Sequence, residues 1–261
     1  MTHPVRCLAA GLALGATTFC FLSSRAGEPA GIVPEAQVRS IIKLAVSKVQ
    51  KALQSKANDR STPALVRIQA GLIAACAQDG TARRGPEAAE LAAVRDAALK
   101  LADSVQRRRL DLEQARKQIH VLASFPGLKA EGDARPEPID LRKKFNLETV
   151  MKVFDKTTKG GDGIEQELLS LEQQRRTYSA GQMSEKLEAD AYKAALISDL
   201  ARGYEAEKKT HSKQEWDQLC TDARSNALEL AQTVKQKDPK QVKAAVKKLT
   251  ASCNECHEKF R

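Results

Sequence analysis

Cys253, Cys256 and His257 stand near the end of the 261-residue sequence in the order Cys-Asn-Glu-Cys-His. The pattern Cys-x-x-Cys-His is an attachment site for c-type haem. Two thiols add to the two vinyl groups of the porphyrin, and the histidine beside the second thiol binds the iron. The spacing suits that chemistry. On a helix, positions three and four residues apart share a face, so all three side chains can grip one flat macrocycle. A zinc site or a redox dithiol would also use such residues. Neither is supported here, because the sequence offers no second ligand pair and no thioredoxin-like strand pattern. One covalently bound haem c is therefore expected.

These residues need a helix beneath them, and the sequence supplies one. Asp238 followed by Pro239 reads as an N-cap with proline at the first helical position. From there Val242, Ala245, Val246, Leu249, Cys253, Cys256 and Phe260 recur in steps of three and four. Both cysteines lie on this apolar stripe, which places the haem against the core of a helix bundle, where facing helices project ligands inward. Lys240, Lys243, Lys247 and Lys248 form the opposite face. They read as a solvated face and as a candidate docking surface for acidic partners. The preceding helix carries Trp216, Cys220, Ala223, Ala227, Leu230 and Val234 at the same spacing. Trp216, the single tryptophan, is a candidate for packing near the porphyrin and equally for ordinary core packing.

Aromatic residues make up only 4% of the chain against 42% hydrophobic residues in all, which favours helices packed through Ala, Leu and Val over an aromatic-rich sheet. Helical patterns run from about residue 33 onward. Breaks are expected at Asp79–Gly85, Phe125–Pro138, Lys159–Gly163, Thr177–Met183 and Lys235–Pro239, where Gly, Pro, Ser and Asp collect. The second of these reads as an inter-domain linker. Its two sides echo each other. Residues 98–106 (ALKLADSVQ) resemble 227–235 (ALELAQTVK), and 70–77 (AGLIAACA) resemble 194–201 (AALISDLA). In both halves a basic turn then leads into a final helix. The expectation is all-α, with two tandem four-helix-bundle-like units and haem in the C-terminal one. Residues 33–126 form a degenerate, haem-less copy and residues 139–261 the haem domain. The first copy ends in His120-Val121-Leu122-Ala123-Ser124-Phe125 with no Cys-x-x-Cys-His, and His120 reads as a surface or packed side chain.

Residues 1–26 read as a secretory signal: Arg6, an apolar run from Cys7 to Leu22, then Ser24-Arg25-Ala26. The run is short for a membrane span, so no stable span is expected after cleavage. Cleavage removes Cys7 and Cys20 and leaves Cys76 and Cys220 beside the haem pair, either as buried thiols or as a disulfide. The formal net charge is +10, or +8 without Arg6 and Arg25. In an exported protein this points away from nucleic acid and toward acidic redox partners or an anionic membrane surface. The expected location is the bacterial periplasm. No paired carboxylates, nucleophile triad or distal base accompany the motif, so no enzymatic activity is expected.

The helical domain ending in Ser252-Cys253-x-x-Cys256-His257-x-x-Phe260-Arg261 resembles the class II c-type cytochromes, cytochrome c prime and its low-spin relatives. The resemblance implies an antiparallel four-helix bundle with haem on the last helix. Low-spin members are similar to one another in a Val-Met-Lys stretch on the first helix, whose methionine is the sixth iron ligand. This sequence has Val150-Met151-Lys152, with Leu147 and Phe154 on the same helix face as Met151. The resemblance thus implies His257 and Met151 as the two axial ligands, and an electron-transfer cytochrome. If Met151 only fills the core, it implies instead a five-coordinate haem binding NO or CO. Ile41-Ile42-Lys43 occupies the comparable place in the first copy, without a methionine. Members dimerise through their first two helices, so the tandem copies are candidates for an internal substitute. One departure is Lys159-Gly160-Gly161-Asp162-Gly163, which interrupts what should be a long first helix.

Overall fold

The computed structural model describes residues 31–55, 61–83, 87–106, 109–128, 137–173, 182–204 and 212–260, the side chains of Gln182 and Met183 excepted. The signal-like segment with Cys7 and Cys20 lies outside them, as do the middle of the linker and most of the break expected before Met183. The described chain is almost wholly helical. The first half holds α1 (Glu35–Gln54), α2 (Thr62–Thr81), α3 (Glu87–Asp103) and α4 (Leu112–Ala123). The second holds α5 (Leu147–Met151), α6 (Ile164–Glu172), α7 (Gln182–Arg202), α8 (Lys213–Gln236) and α9 (Pro239–Phe260). The echoed segments fall on corresponding elements: α2 with α7, then the C-terminal stretches of α3 and α8.

Local chemistry accounts for most of the ends. Ser212 and Glu215 make a reciprocal capping box at the start of α8, and Asp111 caps α4. Lys237 takes the left-handed conformation that closes α8. Asp238 then accepts from Lys240 N at 2.9 Å and Gln241 N at 3.3 Å to open α9. In the basic stretch after residue 104, Val105–Gln106 pair antiparallel with Arg109–Leu110. Helix α2 ends at Thr81, inside the break expected at Asp79–Gly85, with Asp79 in its last turn. Its carboxylate accepts from the backbone of Ile32 at 2.6 Å and Val33 at 3.0 Å, so this aspartate ties down the chain entering α1.

One hydrophobic core runs through both halves. Its centre is α2, buried on every side from Ile68 to Ala77, next to the equally buried stretch of α7 from Ala189 to Ile197. A helix apolar all round belongs between layers, and the alanines of both allow close approach. The second half departs from a regular bundle at its first helix. After five residues α5 gives way to short 3-10 turns, Lys152–Phe154 and Thr157–Lys159, and the chain becomes α-helical again only at Ile164. The interruption has a reason in tertiary structure. Gly160, at φ +89°, lies so close to α2 that a Cβ there would meet Leu65 Cα at 2.8 Å, an approach and a backbone conformation that favour glycine. Asp162 then enters the seam between the halves. Its carboxylate pairs with Lys48 of α1 at 2.9 Å and with Lys193 of α7 at 2.7 Å, and it accepts from Gln69 of α2 at 3.0 Å.

Candidate functional site

The apolar stripe of α9 is buried at Val242, Ala245, Val246 and Leu249 and emerges half-buried at Cys253, Cys256, His257 and Phe260. Ser252 fixes this end of the helix by accepting from Asn226 of α8 at 2.7 Å and donating to Lys248 O at 3.2 Å. Beside it opens a cavity of about 410 Å³, within the usual range for small-molecule and cofactor sites. All five residues singled out from the sequence line it: Cys253, Cys256 and His257 from α9, Trp216 from α8 and Met151 from the end of α5.

Each wall is held by identifiable contacts. Asn146 caps α5 through a bond from Thr149 N at 3.0 Å, and Tyr204 donates to the carbonyl of Phe145 at 2.7 Å. Trp216 is 4% exposed. Its indole N–H donates to Ala201 O at 3.0 Å, and its ring meets Phe260 edge-on with centroids 5.0 Å apart. Met151 packs against the main core and also against the small cluster of Ala201, Trp216 and Cys220.

Cys220, Thr250 and Glu165 are among the lining residues not assigned to the site from the sequence. Cys220 shares the stripe of Trp216, but periodicity alone left it as either a buried thiol or a partner of Cys76. Both cysteines are buried and unbridged, and Cys220 lines the cavity. Thr250 stands one turn before Cys253, and its buried hydroxyl oxygen has no hydrogen-bond partner among the described residues. Glu165 comes from α6, beyond the interruption. No local pattern marks it.

Burial pushes the Cys253 thiol up to about 12, reinforced by Cys256 and Glu165. It pushes Cys220 to about 12 as well, and it raises Cys256, helped by Glu255. These are protonated thiols in apolar surroundings, whereas metal binding by cysteine uses the thiolate. Among the described residues no three His, Cys, Asp or Glu side chains gather as ligands for a free metal ion. What the cavity does collect is two thiols one helical turn apart, an adjacent imidazole, a thioether from another element and a lining in which apolar side chains predominate, with Glu165 and Thr250 among the polar ones. That donor set fits a covalently held haem, with Cys253 and Cys256 available for its thioethers and His257 and Met151 for its iron.

Residues 147–261 match the family model described as Cytochrome C'. This part of the chain belongs to the cytochrome C' family. Comparison with curated proteins and with solved structures returns no match. The match supports a c-type haem cytochrome, and the helical bundle agrees with the cytochrome C' fold. The matched span opens at Leu147, so it contains Met151, the cavity walls and the attachment motif together. No described helix is long and apolar enough to cross a membrane.

Proposed function

We propose that the protein is a periplasmic electron carrier with a single covalent haem c, coordinated by His257 and Met151. The observation that carries this reading is the lining of one cavity by the attachment residues of α9 and by the thioether at the end of α5. Haem c supplies a one-electron redox couple, and a thioether ligand favours its reduced form. The chain supplies the rest. Cys253 and Cys256 would tether the group, His257 and Met151 would bind its iron, and Trp216, Leu219 and Phe260 would keep water from the cavity. With His257 and Met151 both bound, the iron would have no place for a substrate, so the proposed role is transfer and not catalysis. Lys240, Lys243 and Lys247 are exposed on the far side of α9, beside Lys248, which pairs with Glu229 at 2.6 Å. They offer an acidic redox partner a surface on the helix that carries the haem. In this reading the signal-like segment delivers the chain to the compartment where haem is attached.

The test is a visible spectrum of the mature protein, ferric and ferrous, with and without carbon monoxide. A low-spin ferrous spectrum indifferent to carbon monoxide is expected. A high-spin spectrum that shifts on adding the gas would replace this reading with a five-coordinate, gas-binding protein.

A further inference from the structure

Met151 ends a helix of only five residues, α5, and its own half holds the segment through Tyr204 on Phe145 O and Lys193 on Asp162. The segment is gripped on both sides by the haem-less half. Before Met151, Phe145 is 1% exposed and sits against Gly71 of α2, where a Cβ would come within 3.4 Å of its ring. Arg67 of α2 donates to Lys144 O at 3.0 Å. After Met151, Gln69 of α2 donates to Gly160 O and to the Asp162 carboxylate, both at 3.0 Å. Lys48 of α1 binds Asp162 at 2.9 Å and also the carbonyl of Gly161. This loop folds back onto the residues that follow Met151. Asp162 N donates to Val153 O and Gly163 N to Asp155 O, each at 2.8 Å. A Cβ on Gly161 would collide with the carbonyls of Asp155 and Lys152.

We propose that the haem-less half is a positioning device for the distal ligand. Lys48 and Gln69, which do not line the cavity, hold the Gly160–Asp162 loop and so fix Met151 at the iron. The inference rests on the ligation reading given above. A buried side chain such as Gln69, 0% exposed, acts here through the backbone it anchors. The weaker the grip, the larger the fraction of molecules in which the thioether is displaced and the distal position is open. Apparent affinity for an external ligand scales with that open fraction.

The experiment compares the full, haem-loaded protein with Lys48→Met, Gln69→Leu, the conservative Lys48→Arg and Met151→Ala. Helix content by circular dichroism serves as the folding control. Lys48→Met and Gln69→Leu are expected to stay folded, to gain a high-spin component and to bind carbon monoxide roughly tenfold more tightly. Lys48→Arg is expected to restore most of the low-spin signal. Should Gln69→Leu fail to fold, Lys48→Met carries the test, because Lys48 is partly exposed. The proposal is overturned if the folded Lys48 and Gln69 variants keep the parent spectrum and its indifference to carbon monoxide while Met151→Ala turns high-spin. An unchanged spectrum in Met151→Ala would instead remove the ligation reading, and this inference with it.

Discussion

Met151→Ala is expected to turn a low-spin haem high-spin and to open it to carbon monoxide. Alanine removes the only thioether that lines the cavity among the described residues. Cys220 does not take its place readily, because burial holds it as a neutral thiol near 12. The midpoint potential should fall at the same time, since the thioether favours the reduced iron. Met151→Leu makes the comparison specific. Leucine keeps most of the packing against Ala201, Trp216 and Cys220 but offers no sulfur, so its spectrum should follow the alanine variant while its stability stays closer to the parent. Low-spin spectra in both variants would show that Met151 only fills space.

Removing Lys193 should have the largest effect on stability. Its ammonium is 8% exposed and lies 2.7 Å from Asp162 and 3.0 Å from Asp190. Lys193→Met leaves two buried carboxylates with weaker compensation. Breaking a buried pair from one side costs about 3–5 kcal/mol, readable as a lowered denaturation midpoint. The pH dependence follows from the charges. Burial disfavours the Asp162 carboxylate, but Lys193 and Lys48 outweigh it and hold its pKa below the ordinary 3.8. Its contribution is thus present above that value and lost as pH falls through the lower, folded one. Burial likewise opposes the Lys193 charge, yet Asp190 and Asp162 raise its pKa above the usual 10.5. That contribution persists through neutral pH and is lost only as pH rises past the raised value. The stability gap between parent and Lys193→Met should be widest across neutral pH and narrow on acidification below the ordinary carboxylate value of 3.8. A gap that widened on acidification would contradict this assignment of charges.

The α9 site could be read from the sequence because its information is local. Val242 to Phe260 repeat in helical steps, and the two thiols and the imidazole sit on the same steps, so one short segment specifies both helix and chemistry. Met151 came from a resemblance, and its neighbours Leu147 and Phe154 gave only an inward face. The purpose of Gly160, Gly161 and Asp162 was hidden. Three glycines and an aspartate announce a break in the helix, but the residues that require it are Leu65, Gln69 and Lys48, roughly a hundred positions earlier. Periodicity reports which face of an element is apolar and says nothing of which distant element will cover it. Gln69 illustrates the same point from the other side. Inside an apolar run it looks like an exposed position, and only the loop packed against it explains why a polar amide is wholly buried. The role of Asp79 was hidden for a related reason: it falls at a helix end as expected, but its carboxylate is used by the backbone at Ile32 and Val33.

The seam between α2 and α7 also governs how the molecule comes apart. Because the core is continuous and the charges of Asp162 are shared between the halves, neither half can lose its structure without exposing the other's interior. Unfolding is then expected to be a single cooperative event, although the chain is longer than the small domains that usually behave so. Loss of helix at α1, far from the motif, and loss of the haem environment at α9 should follow one denaturation curve.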